Sequence, residues 1–296
     1  MRRNINDYFK DVDENVQKAE LGDDTARDNL YFLCALGIDC NNEVGDDYLH
    51  VLEWVRKSAE LGDANSQTLL GRAYSKGSGV EQSDRKATEW WHKSAEQGDS
   101  EAQHLLGWAY NYGRGVEQSY SEAFKWWSMA ASMGLADAQF CVACSYYIGR
   151  GVEQNYIEAV KWAKKAAEQG NAEAQFMLYQ LYHEGEGVEE DDTEALKWLR
   201  KSAEQGDSDA QAKMGEAYEL GSLGLDEDID NAVEWYKKAA EQGSVYAQCE
   251  LGEIYYNEHD YEEAVKWYSE AAEQGNVDAQ FSLGLLYETG LVLCNA

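Results

Sequence analysis

Along most of the chain, apolar side chains return every three or four residues in short runs, and every second run closes on a glycine. In the stretch 99–134, DSEAQHLLGWAYNYGRGVEQSYSEAFKWWSMAASMG, the first run holds Ala102, Leu105, Leu106, Ala109 and Tyr110, and the second holds Ala123, Trp126, Trp127, Ala130 and Ala131. This spacing predicts two amphipathic helices around a Gly-x-Gly-Val loop. Helices this short are marginal in isolation, so each must bury its stripe on its partner and on the next pair. Glu-Gln-Gly or a close variant ends at Gly22, Gly62, Gly98, Gly134, Gly170, Gly206, Gly243 and Gly275, at intervals of 40, 36, 36, 36, 36, 37 and 32 residues. A period this long and steady means an array of supersecondary units rather than a chain built around one active centre.

The punctuation agrees with helix hairpins. Each closing Gly suits the left-handed residue after a helix, and Asp63, Asp99, Asn171, Asp207, Ser244 and Asn276 suit the N-cap of the next. First helices carry Gln67, Gln103, Gln139, Gln175, Gln211, Gln248 and Gln280, followed seven residues later by Tyr74, Tyr110, Tyr146, Tyr182, Tyr218, Tyr255 and Tyr287. Second helices carry Trp54, Trp90, Trp126, Trp162, Trp198, Trp235 and Trp267. An aromatic ring buries roughly 150–250 Å², worth up to about 4–6 kcal/mol of transfer free energy, so the Trp series is expected to be interior packing.

The two halves, A-x-A-Q-x-x-L-G-x-x-Y-x-x-G-x-G-V and E-A-x-K-W-x-x-K-A-A-E-Q-G, resemble the Sel1-like repeat, a relative of the tetratricopeptide repeat. The resemblance implies an all-α protein, a right-handed α-solenoid of stacked antiparallel helix hairpins forming one array over 1–296. Residues 1–22 are expected to form an N-terminal half unit, and 23–62, 63–98, 99–134, 135–170, 171–206, 207–243 and 244–275 full repeats, with 276–296 a final half unit. Asn257-Glu258-His259-Asp260 replaces the Gly loop in the repeat 244–275, giving it a plain tetratricopeptide-like turn, and CALGIDCNNEVG interrupts the first unit. By the same resemblance the first helices line a concave face, and the proteins act as adaptors.

That implication directs attention to first-helix positions that vary between units. One reads Thr68, His104, Phe140, Phe176, Ala212, Cys249 and Phe281, and others carry Arg72, Trp108, Glu216 and Glu253, or Tyr147, His183, Glu219 and Tyr256. Arg72 and Lys76 make the early part basic; His104, Trp108, Tyr112, Phe140, Tyr147 and Phe176 make the middle aromatic; Glu216, Glu219, Glu250, Glu253 and Glu288 make the late part acidic. Exposed aromatics are strong anchors at small entropic cost, so a peptide or protein segment with an apolar centre and basic residues toward one end is the expected partner.

Composition supports a folded chain with 44% hydrophobic and 12% aromatic residues despite a net charge of −31. With 25 basic against 56 acidic residues, neither nucleic acid nor anionic membrane is an expected partner. Absence of an 18-residue apolar run argues against a membrane span. Six irregularly spaced cysteines and no glycosylation sequon point to reduced thiols in a cytoplasm, with a periplasmic or secreted location only if a leader has been removed. The C-x-x-C of Cys141 and Cys144 is the one candidate for a metal or redox site, but no second ligand pair accompanies it, so no metal or cofactor is assigned. No catalytic signature occurs, and the five histidines lie in scattered places.

The leading expectation is therefore a non-enzymatic interaction scaffold. An acidic inhibitor or immunity-type protein masking a basic surface is the alternative. A weaker one, β-lactam or peptidoglycan-fragment recognition or hydrolysis, follows from cysteine-rich proteins of the same resemblance. Phe281, Leu285 and Leu286 in the last half unit would need a cover, such as an end-to-end dimer contact.

Overall fold

The computed structural model describes residues 11–39 and 46–289; Cys40, Cys294 and the first ten residues of the expected N-terminal half unit lie outside them. The described residues hold sixteen helices and no strand, packed as two compact units divided after Asn155. The first unit contains α1 (Val12–Glu20), α2 (Asp24–Asp39), α3 (Asp46–Glu60), α4 (Ala64–Lys76), α5 (Asp84–Glu96), α6 (Ser100–Tyr112), α7 (Tyr120–Ser132) and α8 (Ala136–Ile148). The second contains α9 (Tyr156–Glu168), α10 (Ala172–Glu184), α11 (Asp192–Glu204), α12 (Ser208–Glu219), α13 (Ile229–Glu241), α14 (Val245–Asn257), α15 (Tyr261–Glu273) and α16 (Val277–Glu288). Within each unit consecutive helices pack in sequence order, as in an α-solenoid of stacked hairpins.

Helix starts follow the polar punctuation. Asp63, Asp99, Asn171, Asp207, Ser244 and Asn276 each accept a hydrogen bond from the backbone N–H three residues on, which satisfies one of the orphan donors of a helix N-terminus. Leu135 breaks the series and gives α8 no side-chain cap. Where the Gly loop is missing, His259 takes the left-handed conformation at φ 65°, as Leu223 does at 56° in the preceding repeat, a conformation that the Gly-x-Gly loops give to glycine.

Hairpins close on a size match between small and large side chains. A Cβ on Gly71 would stand 2.4 Å from the Trp91 indole nitrogen, and one on Gly107 2.1 Å from that of Trp127. Gly215 and Gly252 admit Tyr236 and Tyr268 in the same way, each 2.6 Å from the added carbon. These glycines have ordinary helical backbones, so their role is to let a ring lie directly on the neighbouring helix. The Trp series is less uniform than its spacing predicts. Trp54, Trp126, Trp198 and Trp267 are buried, whereas Trp90, Trp162 and Trp235 are half-buried, each with a lysine ammonium (Lys93, Lys165 and Lys238) 3.7 Å above the ring. The W-x-x-K spacing thus builds a cation–π lid over a partly exposed indole.

Consecutive repeats are joined by glutamine. Gln67 Nε2 donates to the Ala59 carbonyl at 3.0 Å, and Gln103, Gln139, Gln175, Gln211, Gln248 and Gln280 donate in the same way to the carbonyl eight residues back. Each bond reaches the last turn of the preceding helix, where carbonyls lack helical partners. The side-chain oxygen then accepts from the Glu-Gln-Gly glutamine of the following helix: Gln97 to Gln67 at 2.8 Å, Gln205 to Gln175 at 2.6 Å, Gln242 to Gln211 at 2.7 Å and Gln274 to Gln248 at 2.8 Å.

One rung of this ladder is incomplete. Ser132-Met133-Gly134 stands where other repeats have Glu-Gln-Gly, and the buried Oε1 of Gln103 has no hydrogen-bond partner. Met133 is exposed, so a polar side chain of similar length fits there. We expect Met133→Gln to supply the missing donor and to raise stability by about 1 kcal/mol, read as a higher urea midpoint. An unchanged midpoint would contradict this account of the ladder.

Candidate functional site

In the first unit His104, Trp108 and Tyr112 follow one another at four-residue steps on α6 and form a continuous ridge. Trp108 Nε1–H donates to His104 Nε2 at 3.0 Å. Its indole stacks on Tyr112 with centroids 5.5 Å apart and planes 10° off parallel, and meets Trp127 edge-on at 5.1 Å. Trp108 remains 37% exposed and Tyr112 58%. Burial holds the His104 pKa below the ordinary histidine value against the opposing pull of Asp137, and its Nδ1 has no partner among the described residues. The ridge is therefore held by its own contacts while two of its rings stay open to solvent.

Cavities of about 330 Å³ and 220 Å³ lie on either side of the ridge. Ser75, Asp84, Trp91, Leu105, Ala109 and Arg114 complete the larger; Asn111, Trp127, Phe140, Cys141, Cys144, Ser145, Ile148 and Arg150 complete the smaller. A third cavity, about 470 Å³, opens beside His104 and includes Arg72, Lys76 and Asp137. Arg72 is half-buried and paired with Glu101 at 3.1 Å, so the basic start of the surface is partly neutralised.

The second unit carries a different surface. Phe176 leans on Tyr179, which stacks on His183 at 5.8 Å, and His183 Nδ1 lies 2.7 Å from Asp192 Oδ1. Burial, with Glu216 nearby, pushes the Tyr179 hydroxyl up to about 12. Glu216 pairs with Lys213, and Glu219 accepts from the buried Tyr236 hydroxyl at 2.7 Å. Glu253 and Tyr256 are exposed. A concavity of this unit, about 840 Å³ among α13, α14 and α15, is lined by both charge signs, including the Lys266–Glu263 pair, and by the packing residues Gln248 and Trp267. It is a furrow between neighbouring hairpins rather than a surface aimed at one kind of ligand.

The structure brings His104, Trp108, Tyr112 and Phe140 together in the first unit; Tyr147 on α8 is half-buried there. Two of the variable positions are packing instead: Thr68 is buried and bonds Ser94 at 2.8 Å, and Ala212 is buried in the α12–α14 core. Cys141 is buried and Cys144 half-buried, neither in a disulfide, and no group of three or more His, Cys, Asp or Glu side chains placed to hold a metal ion occurs among the described residues. Phe281 and Leu285 are exposed, but Leu286 is buried against the α15 side chains and needs no further cover. Arg114 and Arg150, which line these cavities, sit in loops whose sequence reads only as turns; their signal is two Arg where Ser78 and Glu186 stand in the neighbouring loops.

No described helix is long and apolar enough to cross a membrane. The Sel1 repeat family matches residues 52–63, 64–99, 100–135, 136–171, 172–207, 208–244, 245–276 and 277–293. Among solved structures, a Sel1 repeat protein from Oxalobacter formigenes is 31% identical, with TM-score 0.71, over 80% of this chain and 96% of its own. The protein c5321 of uropathogenic Escherichia coli, described as a protective antigen displaying an SLR fold, is 32% identical with TM-score 0.57; the match covers 92% of this chain and 66% of that one. No curated protein matches the chain.

Glu250 is the most perturbed carboxylate of the second unit. Burial, reinforced by Glu219, Glu253 and Glu216, pushes it up to about 7. A carboxyl whose folded pKa is raised above the unfolded value of about 4.5 costs nothing at low pH and a growing amount as pH rises from there to about 7. Glu250→Gln is therefore expected to stabilise the protein at pH 8, with an advantage that shrinks as pH falls to 5. A pH-independent difference in urea midpoint would contradict the crowding of these carboxylates.

Proposed function

We propose that this chain, which belongs to the Sel1 repeat family, is a non-enzymatic interaction scaffold that grips segments of a protein partner on surfaces built from its first helices. The observation that carries this reading is the α6 ridge. Packing within the repeats is accomplished by Gln, Gly, Ala and the buried Trp, yet Trp108 and Tyr112 are held rigid and left exposed between two cavities. Aromatic rings fixed in advance bury large area with little further loss of freedom, as binding anchors do. A catalytic site needs a nucleophile, base and stabilising donors converging on one point. Tyr, Trp and scattered carboxylates provide contact area and charge instead.

The carboxylates around Glu250 extend the reading to a partner with basic residues. Glu216, Glu219 and Glu253 already oppose its ionisation, so an incoming Lys or Arg would relieve a repulsion present in the free protein. The same observation favours a second reading, an acidic protein that masks a basic surface mainly by charge.

Affinity capture from the source cell separates the two. For a groove-binding scaffold, Tyr112→Ala should weaken capture about tenfold or more while the melting temperature moves by no more than about 2 °C. Retained capture by Tyr112→Ala, together with steep loss of capture in salt, would favour charge masking.

A further inference from the structure

The Gly-x-Gly loops place one side chain per repeat on a backbone that does not vary. Gly113 and Gly115 have φ of +68° and +72°, and Gly149 and Gly151 have +73° and +78°. Arg114 N–H bonds the Ala109 carbonyl at 2.9 Å and Arg150 N–H the Ser145 carbonyl at 3.0 Å. A Cβ on Gly115 would lie 2.2 Å from the Asp84 carbonyl oxygen, and one on Gly151 2.1 Å from that of Tyr120, so each loop is pressed onto the start of the preceding repeat's second helix. Packing fixes where the middle residue sits but not which residue it is: Ser78, Arg114, Arg150 and Glu186 all occupy it. Arginine appears in the two loops that border the α6 ridge.

Among the described residues neither guanidinium is in an ion pair, although the chain has 56 acidic residues against 25 basic ones. Arg72 and Arg85, by contrast, are tied to Glu101 and Glu89. Each loop arginine instead lies over a ring, Arg114 over Tyr112 at 5.2 Å and Arg150 over Tyr120 at 4.8 Å. Such stacking holds the fork of donors in place without consuming its charge-assisted hydrogen bonds. Arg150 borders the smaller cavity, whose walls are Trp108, Trp127, Phe140 and Ile148 and whose lining contains no carboxylate. At about 220 Å³ this space is below the roughly 300–1,000 Å³ of small-molecule pockets and suits one inserted side chain.

We propose that this surface binds an acidic–aromatic segment of the partner. An aromatic side chain inserts between Trp108, Trp127 and Phe140, and the carboxylate of the neighbouring Asp or Glu accepts from the Arg150 guanidinium. A second such pair meets Tyr112 and Arg114 on the other side of the ridge. The proposal rests on the scaffold reading and sharpens it: on a chain of net charge −31, the aromatic surface selects negative charge. A carboxylate entering the smaller cavity meets Arg150 with no acid in the lining, and a lysine there would meet like charge.

The test uses the full chain and three rhodamine-labelled, end-blocked peptides built on a repeated Phe-Asp-Ser pattern, with Asn or Lys replacing Asp in the second and third, read by fluorescence anisotropy. The Asp peptide should bind about tenfold tighter than the Asn peptide, and the Lys peptide weakest. In the Arg114→Ala/Arg150→Ala variant, whose altered side chains are exposed, the Asp and Asn peptides should bind within about twofold of each other. Trp108→Ala should weaken all three. Equal or tighter binding of the Asn or Lys peptide, or a preference that survives the double substitution, overturns the inference; Asn-peptide binding that is still lost in Trp108→Ala would leave the scaffold reading standing. Failure of all three peptides to bind also overturns it, and capture by Tyr112→Ala then judges the scaffold reading separately.

Discussion

Each repeat depends on a glutamine that leaves its own helix to satisfy the end of another. Helices of 12 or 13 residues have a large share of their carbonyls in the last turn, and a stack that buried those groups unpaired would lose more than its apolar contacts provide. Gln67, Gln175, Gln211 and Gln248 donate to the end of the preceding helix and accept from the end of the following one, so that three helices share a single side chain. This geometry requires helices that approach closely at a fixed angle. Glycines beneath Trp91, Trp127, Tyr236 and Tyr268 make that approach possible.

With packing assigned to these residues, the remaining first-helix and loop positions are free to differ. The consequence is a scaffold whose surface chemistry changes while its backbone repeats. In the first unit the free positions hold Trp108, Tyr112 and Phe140, flanked by Arg114 and Arg150. In the second they hold Glu216, Glu219, Glu250 and Glu253 around buried tyrosines. Both surfaces store a modest imbalance, rings and guanidinium groups open to solvent in one and crowded carboxylates in the other, and an imbalance that the fold leaves unsatisfied is what a partner can satisfy.

The array, its helices, its caps and its family resemblance were legible in the sequence because each depends on local spacing repeated many times. Contact roles that depend on three-dimensional neighbours were not. Seven equivalent tryptophans read as one interior series, yet three of them are half-buried, and a lysine over the ring does not mark the difference, since the buried Trp198 and Trp267 carry one too. Thr68 and Ala212 occupy the same repeat position as His104 and are buried, Thr68 with its hydroxyl against Ser94 and Asp99 and Ala212 within the α12–α14 core. The loop arginines gave no helical period to follow, and the crowding of Glu250 arises from carboxylates on two different helices.

The central claim is that recognition uses rings outside the repeating tryptophan series, and the indole N–H signals of the tryptophans report on both sets at once. In a heteronuclear NMR titration with the Phe-Asp-Ser peptide, the account predicts a progressive shift of the Trp108 indole signal, as its bond to His104 and its stacking on Tyr112 respond, while the buried Trp126, Trp198 and Trp267 signals stay fixed. A stationary Trp108 signal, or a shift shared equally by the buried tryptophans, would contradict it.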